Sequence, residues 1–219
     1  MSPRVKICGI RSEADLTVAV RSGVDAVGFI CGVTHRSEDA LAPEHAAMLV
    51  AATPPYVSTV LVTHLELAEQ ITGLAELLGV DTIQVHGLVN RKTLREVFDR
   101  SSGRWRITRT VHVTGDESVD DALRIADSCH AGHLDSRTAD RLGGTGRTHD
   151  WSISRKIVTS LAALSVPVIL SGGLRPNNVT DAVEAVQPYA VDVNSGVENQ
   201  HGDKDLSRSL QFVNTVRQA

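Results

Sequence analysis

The chain has 219 residues, a formal net charge of -4 at pH 7, 42% hydrophobic and 22% charged residues. That length fits one larger single-core domain, residues 1–219, and the charge favours neither a nucleic-acid backbone nor an anionic membrane as partner. No apolar run approaches the roughly 20 residues that span a bilayer, and the opening MSPRVKICGI is charged where a signal peptide needs its apolar core.

Short aliphatic runs then alternate with helical patterns. VKIC (5–8) is followed by SEADLTVAVRS (12–22), whose apolar residues fall three and four apart. AVGFI (26–30) is followed by PEHAAMLVAA (43–52), with Pro43 where a first helical turn tolerates proline. VSTVLV (57–62) precedes LAEQITGLAELL (67–78). TIQV (82–85), RITRTV (106–111), AGHLD (131–135) and PVIL (167–170) come next. PNNVTDAVEAV (176–186) reads as a helix with Pro176 in its first turn, and AVDV (190–193) is the eighth run. Aromatic residues make up only 3%, so the core must be aliphatic, as in parallel sheets buried on both faces. Strand–helix alternation implies parallel pairing with right-handed crossovers, and eight such units close into a barrel. The expected fold class is α/β, a single (β/α)8 TIM barrel. An open doubly wound sheet is the competitor, but its signature glycines follow the first strand, and here they come late.

Three glycine-rich segments follow the last three runs: Gly143-Gly144-Thr145-Gly146, Ser171-Gly172-Gly173 and Asn194-Ser195-Gly196. Glycine lets backbone N–H groups approach an anion, and barrels of this kind commonly hold phosphate near the loops after strands seven and eight. Gly143, Gly144, Gly146, Ser171, Gly172, Gly173, Asn194, Ser195 and Gly196 are therefore candidate phosphate ligands. A set of tight turns is the plainer alternative.

Strand ends at the C-terminal face supply catalytic groups in such barrels. Cys8 ends the first run, with Arg4 and Lys6 on the same side by alternation. Lys6 belongs inside only with a partner, and Asp192 on the neighbouring eighth strand is placed to be one. Lys6 would lower the Cys8 pKa and Asp192 would oppose it. Asp135 ends the sixth run and is a candidate general acid, or else a cap or an Arg137 partner. His133 points the same way one layer deeper and reads as a satisfied buried histidine. Arg36, beside Glu38 and Asp39, is either a second anion site or a solvated loop charge. His86 faces the same pocket. There is no HExxH and no CxxC, and Cys8, Cys31 and Cys129 are far apart, so no metal and no disulfide framework is expected. A reducing cytoplasm fits that cysteine usage.

VKICGI, VGFI, IQVHG, LDS, GGTGRTHDW, SGGLRPNNV and VDVNSGVEN occur in the order and spacing of phosphoribosylanthranilate isomerases. The resemblance runs from Val5 to about Asp205. It implies an Amadori rearrangement in tryptophan biosynthesis, without a cofactor, on a small-molecule phosphoribosyl substrate. It also implies Cys8 as general base, Asp135 as general acid, Arg36 on the anthranilate carboxylate, Asp192 near the substrate, and the glycine loops on the phosphate. The segment ICGVTHRSEDALAP departs from the family pattern: the usual aromatic residue is missing and an acidic pair follows Arg36. His133 also stands where an aliphatic residue is common. A related aminoaldose phosphate as substrate, and a flavin mononucleotide- or phosphosugar-binding barrel, are the other readings. A monomer is expected, because no exposed apolar strip or extra segment argues for an obligate assembly.

Overall fold

In the computed structural model the eight aliphatic runs form eight parallel strands. It describes residues 2–34, 37–138, 141–142 and 149–219, with the backbone alone at 137–138 and 141–142. The barrel strands are β1 (Arg4–Ile7), β2 (Ala26–Cys31), β3 (Ser58–Thr63), β4 (Thr82–Val85), β5 (Arg106–Val113), β6 (Ala131–Thr138), β7 (Val168–Leu170) and β8 (Ala190–Val193). Neighbours pair in chain order, and β1 closes the ring by pairing with both β2 and β8. The closing register sets Lys6 opposite Asp192. Two short strands add to the rim: Ala40–Leu41 beside β2, and Arg141–Leu142 antiparallel to the end of β6.

Among the described residues eight α-helices cover the barrel: α1 (Glu13–Arg21), α2 (Pro43–Ala51), α3 (Ala68–Leu78), α4 (Arg91–Ser101), α5 (Glu117–Ile125), α6 (Trp151–Ala162), α7 (Val179–Val186) and α8 (Leu206–Gln218). Their starts follow local chemistry. Ser12, Asn90, Asp150 and Asp205 accept hydrogen bonds from first-turn N–H groups, and Pro43 opens α2. The helix expected from Pro176 begins later, at Val179. Residues 176–178 form a turn instead: the Asn178 carboxamide oxygen accepts from Arg175 N–H, and its NH2 donates to the Gly173 carbonyl.

The main apolar core lies between sheet and helices. Ile7, Phe29, Leu61, Ile83, Ile107 and Leu134 point outward from the strands onto Leu49, Ile71, Leu94, Ile157 and Phe212, all essentially inaccessible to water. Each such side chain contributes about 1.5–3 kcal/mol of burial. The barrel interior is different. Cys8, Val60 and Val62 form a small separate apolar cluster, and the remaining inward positions carry Lys6, Gln84, Thr108, Thr110, His133 and Asp192, all buried. Polar groups buried at that depth must satisfy one another, and their mutual contacts define the floor of a pocket.

Candidate active site

A cavity of about 760 Å³ opens at the C-terminal ends of the strands. Its lining includes Cys8 just after β1, His86 after β4, His133 and Asp135 from β6, the loop Ser171–Leu174 after β7, and Asp192–Gly196 at the end of β8 and beyond it. The sequence candidates on strands one, four, six, seven and eight therefore converge on one space. Arg36, Gly143, Gly144 and Gly146 lie outside the described residues.

Lys6 is the centre of the floor. Its Nζ donates to Asp192 Oδ2 at 2.7 Å and to Gln84 Oε1 at 3.2 Å. Burial disfavours the charge on both partners, but their mutual attraction wins: Lys6 is raised and Asp192 lowered from their ordinary values. Both are charged, and removing either leaves a buried charge alone, which costs about 3–5 kcal/mol. Asp192 Oδ2 also lies 3.2 Å from His133 Nε2, while Oδ1 is buried without a hydrogen-bond partner among the described residues.

Cys8 sits one pleat above Lys6. Burial pushes its thiol up to about 11, against the pull of Lys6 in the other direction. Room for both side chains comes from Gly28 on β2. A Cβ there would lie 2.8 Å from Cys8 Sγ and 2.9 Å from Lys6 Cε, closer than packed atoms approach.

Across the pocket, burial pushes the Asp135 carboxyl up to about 7; the Ser136 N–H opposes this and Asp192 adds to it. Ser136 N–H donates to Asp135 Oδ1 at 2.8 Å, and His86 Nε2 lies 3.7 Å from Oδ2. A carboxyl balanced in this way can donate a proton near neutral pH. His86 is placed by Thr110 Oγ1 and Gln84 Nε2, which lie 3.2 and 3.4 Å from its Nδ1. His64 and His112 flank it, with ring centroids 5.0 and 5.3 Å away. Gln84, Thr110, His64 and His112 were not among the sequence candidates. The signal for Gln84 was present, because alternation in TIQVH turns Gln84 the same way as His86. Among the described residues no group of histidines, cysteines and carboxylates is arranged to hold a metal ion.

The rim is built from the loops after β7 and β8. Gly172 and Gly173 have φ of +91° and +66°, and a Cβ at Gly172 would collide with the Ser136 side chain. A Cβ at Gly196 would collide with the Leu174 carbonyl, which lets the two loops touch. No hydrogen bond among the described residues uses the N–H groups of Gly172, Gly173, Ser195 or Gly196; such free donors suit an anion. The side chains of the two polar candidates point elsewhere. Ser171 Oγ donates to the Leu134 carbonyl at 2.7 Å and lies 3.1 Å from His133 Nε2. Asn194 donates to Asp39 Oδ2 at 2.8 Å and accepts from buried Lys204. Asp39 is thus tied to the loop after β8, with Arg11 Nε 3.7 Å from its other oxygen.

The fold and the pocket together define a (β/α)8-barrel enzyme with titratable side chains on facing strand ends beside a glycine-lined rim. Comparison with known proteins gives the particular family. Residues 5–215 match the family model described as N-(5'-phosphoribosyl)anthranilate (PRA) isomerase. The N-(5'-phosphoribosyl)anthranilate isomerase of Natronomonas pharaonis is 40% identical over 222 residues, covering 97% of each chain. Isomerase 2 of Methanosarcina mazei is 38% identical over 98% of this chain and 94% of its own. The crystal structure of the Thermotoga maritima isomerase superposes with a TM-score of 0.86 at 32% identity, covering 99% of this chain and all of the other. A phosphoribosylanthranilate isomerase in complex with reduced 1-(o-carboxyphenylamino)-1-deoxyribulose 5-phosphate superposes with a TM-score of 0.81 at 30% identity, with the same coverage. The chain belongs to the phosphoribosylanthranilate isomerase family.

Proposed function

We infer that this chain converts N-(5-phosphoribosyl)anthranilate to 1-(2-carboxyphenylamino)-1-deoxyribulose 5-phosphate, the Amadori step of tryptophan biosynthesis. The observation that carries the chemistry is the pair of strand-end groups in one cavity, a carboxyl held near neutrality and a buried thiol beside a lysine. Asp135 in its protonated form gives its proton to the furanose ring oxygen. The C1–O bond breaks as the anilino nitrogen lone pair forms the C1=N iminium. That cation acidifies the C2 proton, which Cys8 removes as thiolate. The electron pair moves to nitrogen and leaves an enolamine. The Cys8 thiol returns its proton to C1 and the C2 hydroxyl gives its proton to the Asp135 carboxylate, which yields the ketone and restores both groups. The net change is a hydrogen moved from C2 to C1 and an O–H proton moved from the C2 oxygen to the former ring oxygen. With its value raised to about 11 Cys8 is mostly thiol at neutral pH; the positive iminium and Lys6 both favour the thiolate fraction that reacts.

The rim after β7 and β8 is assigned to the phosphate through backbone N–H groups, with Gly172, Gly173, Ser195 and Gly196 as donors. Gly143, Gly144 and Gly146 remain assigned to the same anion, and Arg36 to the anthranilate carboxylate. No helix among the described residues is long and apolar enough to cross a membrane; a cytoplasmic, cofactor-independent enzyme is the reading we adopt. We retain a monomer, although a Thermotoga maritima relative is described as dimeric; sedimentation velocity tests this directly.

The test is to generate phosphoribosylanthranilate in situ with the purified protein and follow the loss of its anthranilate-type fluorescence. Turnover well above the uncatalysed rate is expected. A rate indistinguishable from background refutes the assignment.

A further inference from the structure

The mechanism above does not use His133. It is 1% exposed, inside the barrel on β6. Its Nε2 lies 3.2 Å from Asp192 Oδ2 and 3.1 Å from Ser171 Oγ. Ser171 Oγ also lies 2.7 Å from the Leu134 carbonyl. The Asp192 carboxylate oxygen can only accept, so the ring nitrogen facing it carries the proton and the ring is the Nε2–H tautomer. That one N–H is shared between the serine and the aspartate. Nδ1 has no hydrogen-bond partner among the described residues, so the ring's polar business is all on the side facing Asp192.

The effect falls on Asp192. Lys6 Nζ approaches Oδ2 from β1 and His133 approaches the same oxygen from β6. Oδ2 is thus held from two directions, and the carboxylate cannot turn about its last bond without giving up both contacts. Asp192 lines the cavity, and its Oδ1 is buried with no hydrogen-bond partner among the described residues.

We propose that His133 is a positioning residue for the isomerisation: together with Lys6 it locks Oδ2 of Asp192 and so fixes the orientation of that carboxylate in the floor of the substrate cavity. This rests on the reading of the pocket as the isomerase site. The role belongs to the N–H at the Nε2 position and not to the bulk of the ring.

Side-chain length separates these two possibilities. In His133→Gln the amide nitrogen reaches the place of Nε2; in His133→Asn it stops near Nδ1, short of Asp192. Both variants are polar and retain a hydrogen-bonding group in the interior. His133→Leu removes the donor altogether. Loss of a hydrogen bond to a charged group corresponds to about a tenfold or greater fall in rate. Expected with in situ substrate is that kcat falls about tenfold or more in the Asn and Leu variants, KM stays within about threefold, and Gln recovers most of the wild-type kcat. Circular dichroism confirms that each is folded; the Gln and Asn pair decides the matter even without the Leu variant. Equal kcat in the Gln and Asn variants overturns the proposal. So does a KM change that accounts for the whole loss. Wild-type inactivity in the same assay would instead refute the isomerase assignment, so the two failures are distinguishable.

Discussion

Gly28→Ala is a one-carbon change with a consequence that can be worked from the structure. The new Cβ would lie 2.8 Å from Cys8 Sγ, 2.9 Å from Lys6 Cε and 3.0 Å from Lys6 Nζ. Optimal packing of such atoms is about 3.5–4.0 Å, so something must move by about 0.7 Å or more. The backbone of Gly28 has little freedom to retreat, because β2 is paired residue by residue with β3 from Ala26 to Ile30. Cys8 is hemmed in by Val60 and Val62, and Lys6 is tied to Asp192 and Gln84. Overpacking of this kind costs about 1–3 kcal/mol. At about 2–4 °C per kcal/mol for a chain of this size, the melting temperature should drop by several degrees while the barrel still folds. Activity should suffer far more. Misplacing a reacting group by about 1 Å costs about 10²-fold, so kcat/KM is expected to fall by about that factor. The assay is steady-state turnover of in situ substrate, run for Gly28→Ala, Cys8→Ala and the double variant. Because the alanine acts mainly by displacing the thiol, it should cost little more once Cys8 is already gone. A folded Gly28→Ala with activity within about threefold of wild type refutes the reasoning, as does an equal penalty in both backgrounds.

Cys8→Ala and Asp135→Asn should each lower kcat/KM on the order of 10²–10⁴-fold, and a loss below about tenfold in both would remove them from proton transfer. The acid must be protonated below about 7 and the base deprotonated above about 11. The free enzyme's kcat/KM should therefore rise with pH up to about 7 and stay level from there to the highest pH at which the barrel remains folded; a fall between pH 7 and 9 would contradict that pairing. Asp135 also shapes stability. Its native carboxyl holds a proton up to about 7, against the ordinary value of 3.8. The native state thus binds more protons than the unfolded state between those values, and stability falls as pH rises through that window. The penalty is absent below about pH 4 and complete above about 7, where it reaches about 4 kcal/mol. Asp135→Asn should accordingly melt several degrees higher than wild type at pH 8 and show no such gain at pH 4; thermal melts at the two pH values check this.

The barrel was readable because its strands are buried on both faces and appear as uninterrupted aliphatic runs. All eight runs became strands, with ends shifted by a residue or so; β6 continues to Thr138, beyond its apolar run, because the rim strand Arg141–Leu142 pairs with that extension. The start of α7 was misread because Pro176 is as acceptable in a turn as in a first helical turn, and only the Asn178 side chain decides between them. Alternation together with ring closure also gave the Lys6–Asp192 pair, because it requires only strand adjacency. Contacts that depend on side-chain direction were not legible. Ser171 and Asn194 occur in phosphate-loop patterns, yet their side chains bind His133 and Asp39. Gly28 looked like an ordinary strand glycine, since nothing local reveals that Cys8 and Lys6 occupy its missing Cβ. The histidine row His64–His86–His112 joins three strands and has no sequence spacing to announce it.

The contact between Lys6 and Asp192 spans 186 positions of chain and joins the first barrel strand to the last. Closing so long a loop comes late for entropic reasons, since each earlier strand adds only near neighbours. Until the seam shuts, a lysine lies in the forming interior without its carboxylate, and Asp192 has no orientation to present. Competence for catalysis therefore requires a completed ring. A refolding chain watched by far-ultraviolet circular dichroism would regain helix well before it regains turnover, and no half-assembled barrel would process substrate on the way.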